Sequence, residues 1–222
     1  METLAARSNR ELYDLWAGTY PAVAHNPLMR VEQDIVAPIL ARLAPRRALD
    51  VGTGSGRYLS VLADAGARTV VGVDHSIAML GRVGDAPIVC ADACSLPFRR
   101  ASFDVVNASL MVGDVGDLRA WTREMARVLA RRGHLVYSDF HPSWAQHGWK
   151  RLFRAPDGAS HELGYHPHTI DDHLAALGAA GLRAIAIREP RFTDGDDPAV
   201  KTFRRRWSNP PVIAVFHATN EP

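Results

Sequence analysis

Hydrophobic and polar positions along the chain change periodicity several times, and each change marks the start of a new element. Short apolar runs predict five strands: Ala48–Val51, Thr69–Val73, Ile88–Ala91, Phe103–Ala108 and His134–Asp139. After the first, second and fourth runs, apolar residues recur every three or four positions, which predicts helices. This alternation predicts a parallel sheet with helices on both faces.

Both ends of the chain add elements to this core. A capping box at Ser8–Glu11 and a second helix, Leu28–Leu43, predict an N-terminal helical cap over 1–45. Thr169 caps a later helix, and two further apolar runs predict a sixth strand, Leu182–Arg188, and a last strand, Val212–His217. The stretches Phe140–Pro167 and Pro190–Pro211 show no clear period, and we interpret the first as a loop and the second as a polar surface excursion.

Composition limits the class of protein. The chain has 222 residues, 47% of them hydrophobic and 23% charged, which suits one domain over 1–222. Its net charge of +2 and its scattered basic runs do not favour nucleic acid. Without a signal-like or membrane-length apolar run, we expect a cytoplasmic protein with no membrane partner. Cys90 falls in a predicted strand, so we expect a buried, reduced thiol.

A glycine-rich turn after the first strand carries the clearest chemistry. Gly52, Gly54 and Gly56 form G-x-G-x-G behind Asp50, and Asp74 closes the second strand. A carboxylate there suits the hydroxyls of a ribose. Asp50 would repel a pyrophosphate but suits an ammonium group. The pattern therefore predicts a nucleoside joined to an amino acid, whose carboxylate would meet the helix N-terminus.

Further motifs follow in a fixed order. They are Leu49-Asp50-Val51-Gly52-Thr53-Gly54-Ser55-Gly56, Gly72-Val73-Asp74-His75-Ser76 with Met79, Ala91-Asp92-Ala93 with Leu96-Pro97-Phe98, Phe103-Asp104-Val105-Val106, and Glu124–Leu129 running into Gly133-His134-Leu135. With them, roughly the first two thirds of the chain resembles the class I S-adenosylmethionine-dependent methyltransferases, most closely the small single-domain group that includes quinone-biosynthesis and natural-product enzymes. The resemblance implies an α/β, Rossmann-like, seven-stranded, mostly parallel sheet whose last strand is antiparallel.

The predicted cofactor-binding residues follow from these motifs and this resemblance. They are Tyr20, Asp50, Gly52, Thr53, Gly54, Gly56, Asp74, His75, Met79, Asp92, Ala93 and Asn107. Asp50 would face the methionyl ammonium, or else be a strand-end carboxylate that the protein itself satisfies. Asp74 would bind the ribose, or else cap the next helix, although Ser76 is available for that. The resemblance implies that Asp92, with the Ala93 amide, meets the adenine amino group; the alternative is a turn residue.

Other predicted cofactor contacts also have an alternative. Met79 would pack on the adenine or belong to the core, and Tyr20 would close over the cofactor or staple the first helix. Asn107 or Ser109 would contact the methionyl end of the cofactor through backbone atoms.

The resemblance also implies a reaction. S-adenosylmethionine carries an activated methyl group, so we expect no metal, and the product would be S-adenosylhomocysteine. The segment 140–168 would form an acceptor-site lid over a small aromatic or cyclic molecule, methylated on O, N or C. His141 and His166 are the candidate bases, with Asp139 nearby.

Three further expectations concern partners and the competing function. Asn107-Ala108-Ser109-Leu110 stands where nucleic-acid and amide methyltransferases carry D/N-P-P-aromatic, so we expect no nucleic-acid substrate. The chain would be a monomer or a homodimer. The competing hypothesis is a non-catalytic S-adenosylmethionine-binding protein.

Overall fold

The computed structural model describes residues 7–193 and 197–221. Its helices are α1 (Asn9–Trp16), α2 (Pro27–Leu43), α3 (Arg57–Asp64), α4 (Ile77–Leu80), α5 (Leu118–Val128), α6 (Ser143–Gln146), α7 (Ile170–Ala179) and α8 (Pro198–Trp207). Its strands are β1 (Arg47–Val51), β2 (Thr69–Asp74), β3 (Ile88–Cys90), β4 (Phe103–Ser109), β5 (Leu129–Phe140), β6 (Arg151–Arg154), β7 (Ser160–Leu163), β8 (Arg183–Arg188) and β9 (Ile213–Thr219). None of the helices within this described part is long and apolar enough to cross a lipid bilayer.

Seven strands form one sheet in the order β3-β2-β1-β4-β5-β9-β8. The first five are parallel, and β9 runs antiparallel to both of its neighbours. The predicted Rossmann-like sheet with an antiparallel last strand is therefore confirmed. The strand order reverses between β1 and β4, and ligands of such sheets bind outside the strand ends at this point.

Each face of the sheet packs against its own set of helices. Leu49, Val106 and Leu135 belong to one buried cluster with Trp121 of α5 and Leu177 of α7. Their neighbours along the same strands belong to a second cluster, because successive side chains of a strand point to opposite faces. That second cluster contains Ala48, Val105 and Val136 of the sheet together with Leu40 of α2 and Leu62 of α3.

The stretch Phe140–Pro167, expected to be an irregular loop, contains regular structure. After the single turn of α6, β6 and β7 form an antiparallel hairpin. Pro156-Asp157-Gly158 makes the connection, and Gly158 takes a left-handed φ of 84°. This proline-aspartate-glycine run is a typical turn signal between two extended segments, and our sequence analysis missed it.

Two other expectations were wrong for related reasons. The stretch Pro190–Pro211 contains α8, whose Val200 and Phe203 are buried in the second cluster. Its arginines and lysine gave the segment a polar average that hid the apolar face of this helix. Cys90 is exposed, because β3 is an edge strand of the sheet.

Candidate functional site

The glycine turn forms because each of its three glycines takes a left-handed backbone conformation. Their φ angles are 68° at Gly52, 56° at Gly54 and 90° at Gly56. A Cβ on Gly52 would lie 2.7 Å from Met111, so the loop after β4 approaches the turn too closely for any side chain. Gly56 is the N-cap of α3. The turn therefore presents bare backbone between the end of β1 and the start of α3.

Asp74 ties the end of β2 to this turn. Its carboxylate accepts hydrogen bonds from the Gly54 amide and the Ser76 amide, each at 2.9 Å. Burial raises the pKa of Asp74, and the two amides act against that rise. Ser76, whose hydroxyl accepts from the Met79 amide, caps α4. The capping role that we considered for Asp74 is thus filled by Ser76.

A cleft of about 680 Å³ opens at the carboxyl ends of these strands, and we call it the strand-end cleft. Seven of the predicted cofactor-binding residues line it: Tyr20, Gly52, Gly54, Asp74, His75, Met79 and Ala93. Its walls also include Ser109, the alternative to Asn107, and residues that we did not predict: Tyr13, Arg57, Val73, Ala91, Leu110, Met111 and Asp114.

The other five predicted residues do not line the cleft. Asp50 is buried, and its two oxygens accept from Asn107 Nδ2 at 2.8 Å and from Thr53 Oγ1 at 2.7 Å. Burial raises the pKa of Asp50 to about 6. Gly56 lies at the start of α3, and Asp92 is exposed and accepts from the Cys94 amide as a turn residue does. Asp50, Thr53 and Asn107 thus form a buried polar cluster beside the turn.

The two histidines predicted as bases lie outside both the cleft and the groove described below. His141 is mostly buried, with Nδ1 2.7 Å from Ser143 Oγ and Nε2 2.8 Å from Glu189 Oε1. His166 is exposed, and its ring packs against Gly116. Both ring nitrogens of His141 therefore already have protein partners.

Asp139 at the end of β5 is more unusual. It is 1% exposed, and Oδ1 accepts from the Phe140 amide at 2.8 Å. Its Oδ2 has no hydrogen-bond partner among residues 7–193 and 197–221. Burial raises the pKa of Asp139 to about 7, against the opposing effects of the Phe140 amide and Arg151.

A buried ion pair fastens the hairpin to the strand-end cleft. Arg151 of β6 donates through both Nη atoms to the carboxylate of Asp114, at 2.7 and 3.2 Å. The hydroxyl of Tyr13 donates to the same carboxylate at 2.9 Å, so α1 joins the cluster. Bidentate arginine–carboxylate pairs of this kind fix orientation as well as distance. No sequence signal joins these three residues, which come from distant parts of the chain.

Next to the cleft lies a larger space of about 1650 Å³, which we call the aromatic groove. Its aromatic lining comes from both ends of the chain and from the segment 140–168: Tyr13, Trp16, Tyr20, Phe140, Trp144, Trp149, Phe192, Phe203 and Trp207. Tyr13, Tyr20 and Leu110 line both spaces, so the groove adjoins the cleft. Leu110 has a left-handed φ of 56°, and its amide donates to the Ser138 carbonyl and hydroxyl.

Comparison with known proteins agrees with this architecture. A family of methyltransferase domains matches residues 49–137. A demethylmenaquinone methyltransferase of Corynebacterium urealyticum is 41% identical over 101 residues, covering 44% of this chain and 44% of the relative. A malonyl-[acyl-carrier protein] O-methyltransferase of Halorhodospira halophila is 33% identical over 174 residues, covering 71% of this chain and 56% of the relative. The chain thus spans about half the length of these curated relatives.

A solved structure shows the same fold over nearly its whole length. The S-adenosylmethionine-dependent methyltransferase of Mesorhizobium loti has a TM-score of 0.63 and 22% identity, covering 84% of this chain and 99% of its own. The sheet order, the glycine turn with Asp74 at the next strand end, and the match over residues 49–137 agree with one another. Residues 49–137 match the methyltransferase-domain family, and the chain has the fold of the S-adenosylmethionine-dependent methyltransferases.

Proposed function

We propose that this protein transfers a methyl group from S-adenosylmethionine to an O, N or C atom of a small aromatic or cyclic molecule. One observation carries the proposal: the strand-end cleft, built on the glycine turn and Asp74, adjoins the aromatic groove across Tyr13, Tyr20 and Leu110. A donor in the first space and an acceptor in the second would meet at this shared wall.

The cleft suits the chemical groups of S-adenosylmethionine. Gly54 has no atom within 4 Å of the position where a Cβ would stand, so the turn leaves room for a ligand against its backbone. We assign Asp74 to the ribose hydroxyls, because it is an ionisable acceptor held in place by two amides. Met79 and Ala93 offer apolar surface to the adenine ring. Asp92, His75 and Tyr20 keep their predicted contacts with the cofactor as part of this proposal.

The buried cluster of Asp50, Thr53 and Asn107 has a supporting task in this scheme. Its hydrogen bonds hold the end of β1 against β4, which fixes the glycine turn. Thr53 Oγ1 and Gly72 also lie close enough that a Cβ on Gly72 would be 3.0 Å from this oxygen. The predicted contact between Asp50 and the methionyl ammonium remains a proposal.

The bound cofactor supplies a methyl group already activated by its sulfonium centre. The protein aligns the acceptor and keeps out water, since reactants of this kind need contact at roughly 3–3.5 Å. Phe140, Trp144 and Trp149 from the segment 140–168 wall off the groove, and the pair between Arg151 and Asp114 fastens this segment down. These residues would hold a flat acceptor by ring packing.

The possible acceptors differ in whether a protein base must remove a proton from them. His141 would have to leave Ser143 and Glu189 to reach the groove, and His166 would have to leave the surface. We therefore propose an acceptor that needs little help from a protein base, such as an acidic hydroxyl or an activated carbon. His141 and His166 remain the bases to test for a less acidic acceptor.

Calorimetry with S-adenosylhomocysteine, followed by product analysis with phenols, enols and amines, tests the proposal. We expect binding by the wild-type protein, loss of binding in Asp74→Ala, and S-adenosylhomocysteine formation with at least one aromatic acceptor. Glu221, an exposed carboxylate that lines neither the cleft nor the groove, gives the control variant Glu221→Ala. Absence of binding by the folded wild type would refute the proposal, and binding without product for any acceptor would favour the non-catalytic alternative.

Several broader predictions belong to the same proposal. They are a cytoplasmic location, a small-molecule rather than nucleic-acid substrate, no membrane partner, no metal requirement, and a monomer or homodimer. The division of a single domain into a helical cap over 1–45 and an acceptor-site lid over 140–168 also belongs here.

A further inference from the structure

Glu32 on α2 is a charged residue that is completely buried. Its Oε2 accepts from Arg57 Nη1 and from the Tyr58 hydroxyl, both at 2.7 Å, and its Oε1 accepts from Ser138 Oγ at 2.9 Å. A buried carboxylate is costly unless such partners surround it, and a well-packed apolar residue would often serve stability as well. The function proposed above gives this ion pair no task.

Arg57 connects the ion pair to the strand-end cleft. It is the first residue of α3, directly after the glycine turn, and it lines the cleft while its side chain is 10% exposed. Protein acceptors lie near Nη1 only: Glu32 at 2.7 Å and Gln33 at 3.5 Å. Within the described residues Nε and Nη2 have no hydrogen-bond partner, so part of the guanidinium is available to a ligand.

Arg57 differs in charge from the rest of the cleft wall. Among the described residues that line the cleft, Arg57 is the only arginine or lysine. The other charged walls are Asp74, which two amides hold, and Asp114, which Arg151 neutralises. Burial lowers the pKa of Arg57 and the Glu32 carboxylate raises it, and the net shift is upward. The guanidinium is therefore charged, oriented and partly free.

We propose that Arg57 binds the carboxylate of the methionyl part of S-adenosylmethionine, and that Glu32 is a positioning residue that holds the guanidinium in the cleft. This inference rests on the proposed function. In this arrangement two residues hold the cofactor: Asp74 binds its sugar and Arg57 binds its amino acid part. Ser138, the third donor to Glu32, also accepts from the Leu110 amide, so the same carboxylate braces the wall shared with the aromatic groove.

Two ligands that differ in the amino acid portion give a selective test. S-adenosylhomocysteine carries the carboxylate, whereas 5′-methylthioadenosine keeps the adenosine and the sulfur but lacks the amino acid. Calorimetry should show that Arg57→Gln binds S-adenosylhomocysteine roughly 10- to 100-fold more weakly, because a charge-assisted hydrogen bond is lost. Its affinity for 5′-methylthioadenosine should stay within about twofold of the wild type. Decarboxylated S-adenosylmethionine, which retains the ammonium, should likewise bind both proteins equally.

Three variants complete the design. Arg57→Lys keeps a charge without the second arm and should show an intermediate loss. Glu32→Gln should weaken S-adenosylhomocysteine selectively, and with an active acceptor it should raise KM for S-adenosylmethionine more than it changes kcat. Arg127→Gln removes an arginine paired with Glu124 away from the cleft and should leave both affinities unchanged. Thermal unfolding identifies any variant that fails to fold. If Arg57→Gln does not fold, the affinities of Arg57→Lys for the two ligands test the assignment of Arg57.

The possible outcomes are distinct. A wild-type protein that does not bind S-adenosylhomocysteine refutes the proposed function and this inference with it. A wild-type protein that binds, with Arg57 variants that bind equally well or that lose both ligands in the same proportion, refutes only the assignment of Arg57. Selective loss in the Arg57 variants without a selective effect of Glu32→Gln refutes the positioning role of Glu32.

Discussion

Replacing Gly52 by alanine should lower the free energy of unfolding more than the same change does at other glycines with a left-handed backbone. Gly52 has a φ of 68°, and an added Cβ would lie 2.7 Å from both Cβ and Cγ of Met111. The Met111 backbone fixes the position of Cβ, so a rotamer change, which moves only Cγ and the atoms beyond it, cannot remove the clash. Either the loop after β4 or the turn itself must move.

The size of the effect follows from two contributions. An L-residue in the left-handed region costs about 1–2 kcal/mol, and an overpacked contact costs about 1–3 kcal/mol. Together they predict a loss of about 3 kcal/mol in the free energy of unfolding for Gly52→Ala. For a chain of this length, that loss corresponds to a fall in Tm of roughly 6–12 °C.

Two matched variants separate the contributions. Gly181, with φ of 75°, and Gly54, with φ of 56°, have no atom within 4 Å of an added Cβ. Gly181→Ala, just after α7, should lose only the conformational share, about 1–2 kcal/mol. Gly54→Ala should lose a similar amount of stability and, in addition, bind S-adenosylhomocysteine more weakly, because its backbone lines the cleft.

Urea unfolding and calorimetry on the three variants provide the measurement. The steric argument fails if Gly52→Ala is no less stable than Gly181→Ala. The assignment of the turn to the ligand fails if Gly54→Ala binds S-adenosylhomocysteine as tightly as Gly181→Ala does.

Three further predictions concern buried titratable side chains. Asp114→Ala leaves Arg151 buried without its partner and should cost about 3–5 kcal/mol in urea unfolding, whereas Lys150→Ala, which breaks an exposed pair, should cost less than about 1 kcal/mol. Burial raises the pKa of Asp139 to about 7, whereas in the unfolded chain this carboxyl releases its proton at about pH 4. Between these two values the folded state holds a proton that the unfolded state has lost. The contribution of Asp139 to stability therefore falls as the pH rises from about 4 to 7. Asp139→Asn should therefore lose less stability than the wild type between about pH 5 and about pH 8, and an equal loss would contradict the assignment. His141→Gln should keep methyl transfer to an acidic acceptor within about threefold, since loss of a general base costs at least about 100-fold.

Helices and strands could be predicted where the local hydrophobic pattern matches the burial of the element in the fold. Continuous apolar runs predicted β1 to β4, and those of β1 and β4 are buried on both faces, as is usual for parallel strands. The same argument predicted β5 but began it late, at His134 instead of Leu129, because Arg131 and Arg132 interrupt the apolar run inside the strand. The sequence pattern did not predict α8. Charged residues on the outer face of this helix made the mean hydropathy of the segment polar and hid the buried Phe203.

The shape of the strand-end cleft could be predicted for a related reason. Gly52, Gly54 and Asp74 act through backbone shape and through a strand end, both of which a short sequence motif specifies. In the sequence, Arg57 is only the residue that follows the third glycine of the turn. Its pairing with Glu32 on α2 depends on how the N-terminal helices pack against the sheet, and no spacing rule expresses that contact.

By itself, the sequence determined the parallel sheet, the turn that leaves room for a ligand and the carboxylate at the next strand end, because each depends on neighbours a few residues apart. Only the tertiary structure decided which side chains surround the aromatic groove and which charges are paired. It assigned His141 to Ser143 and Glu189, and it joined Arg151 to Asp114 across two distant segments. Such contacts depend on the positions of whole elements relative to one another, and chain-distant packing fixes those positions.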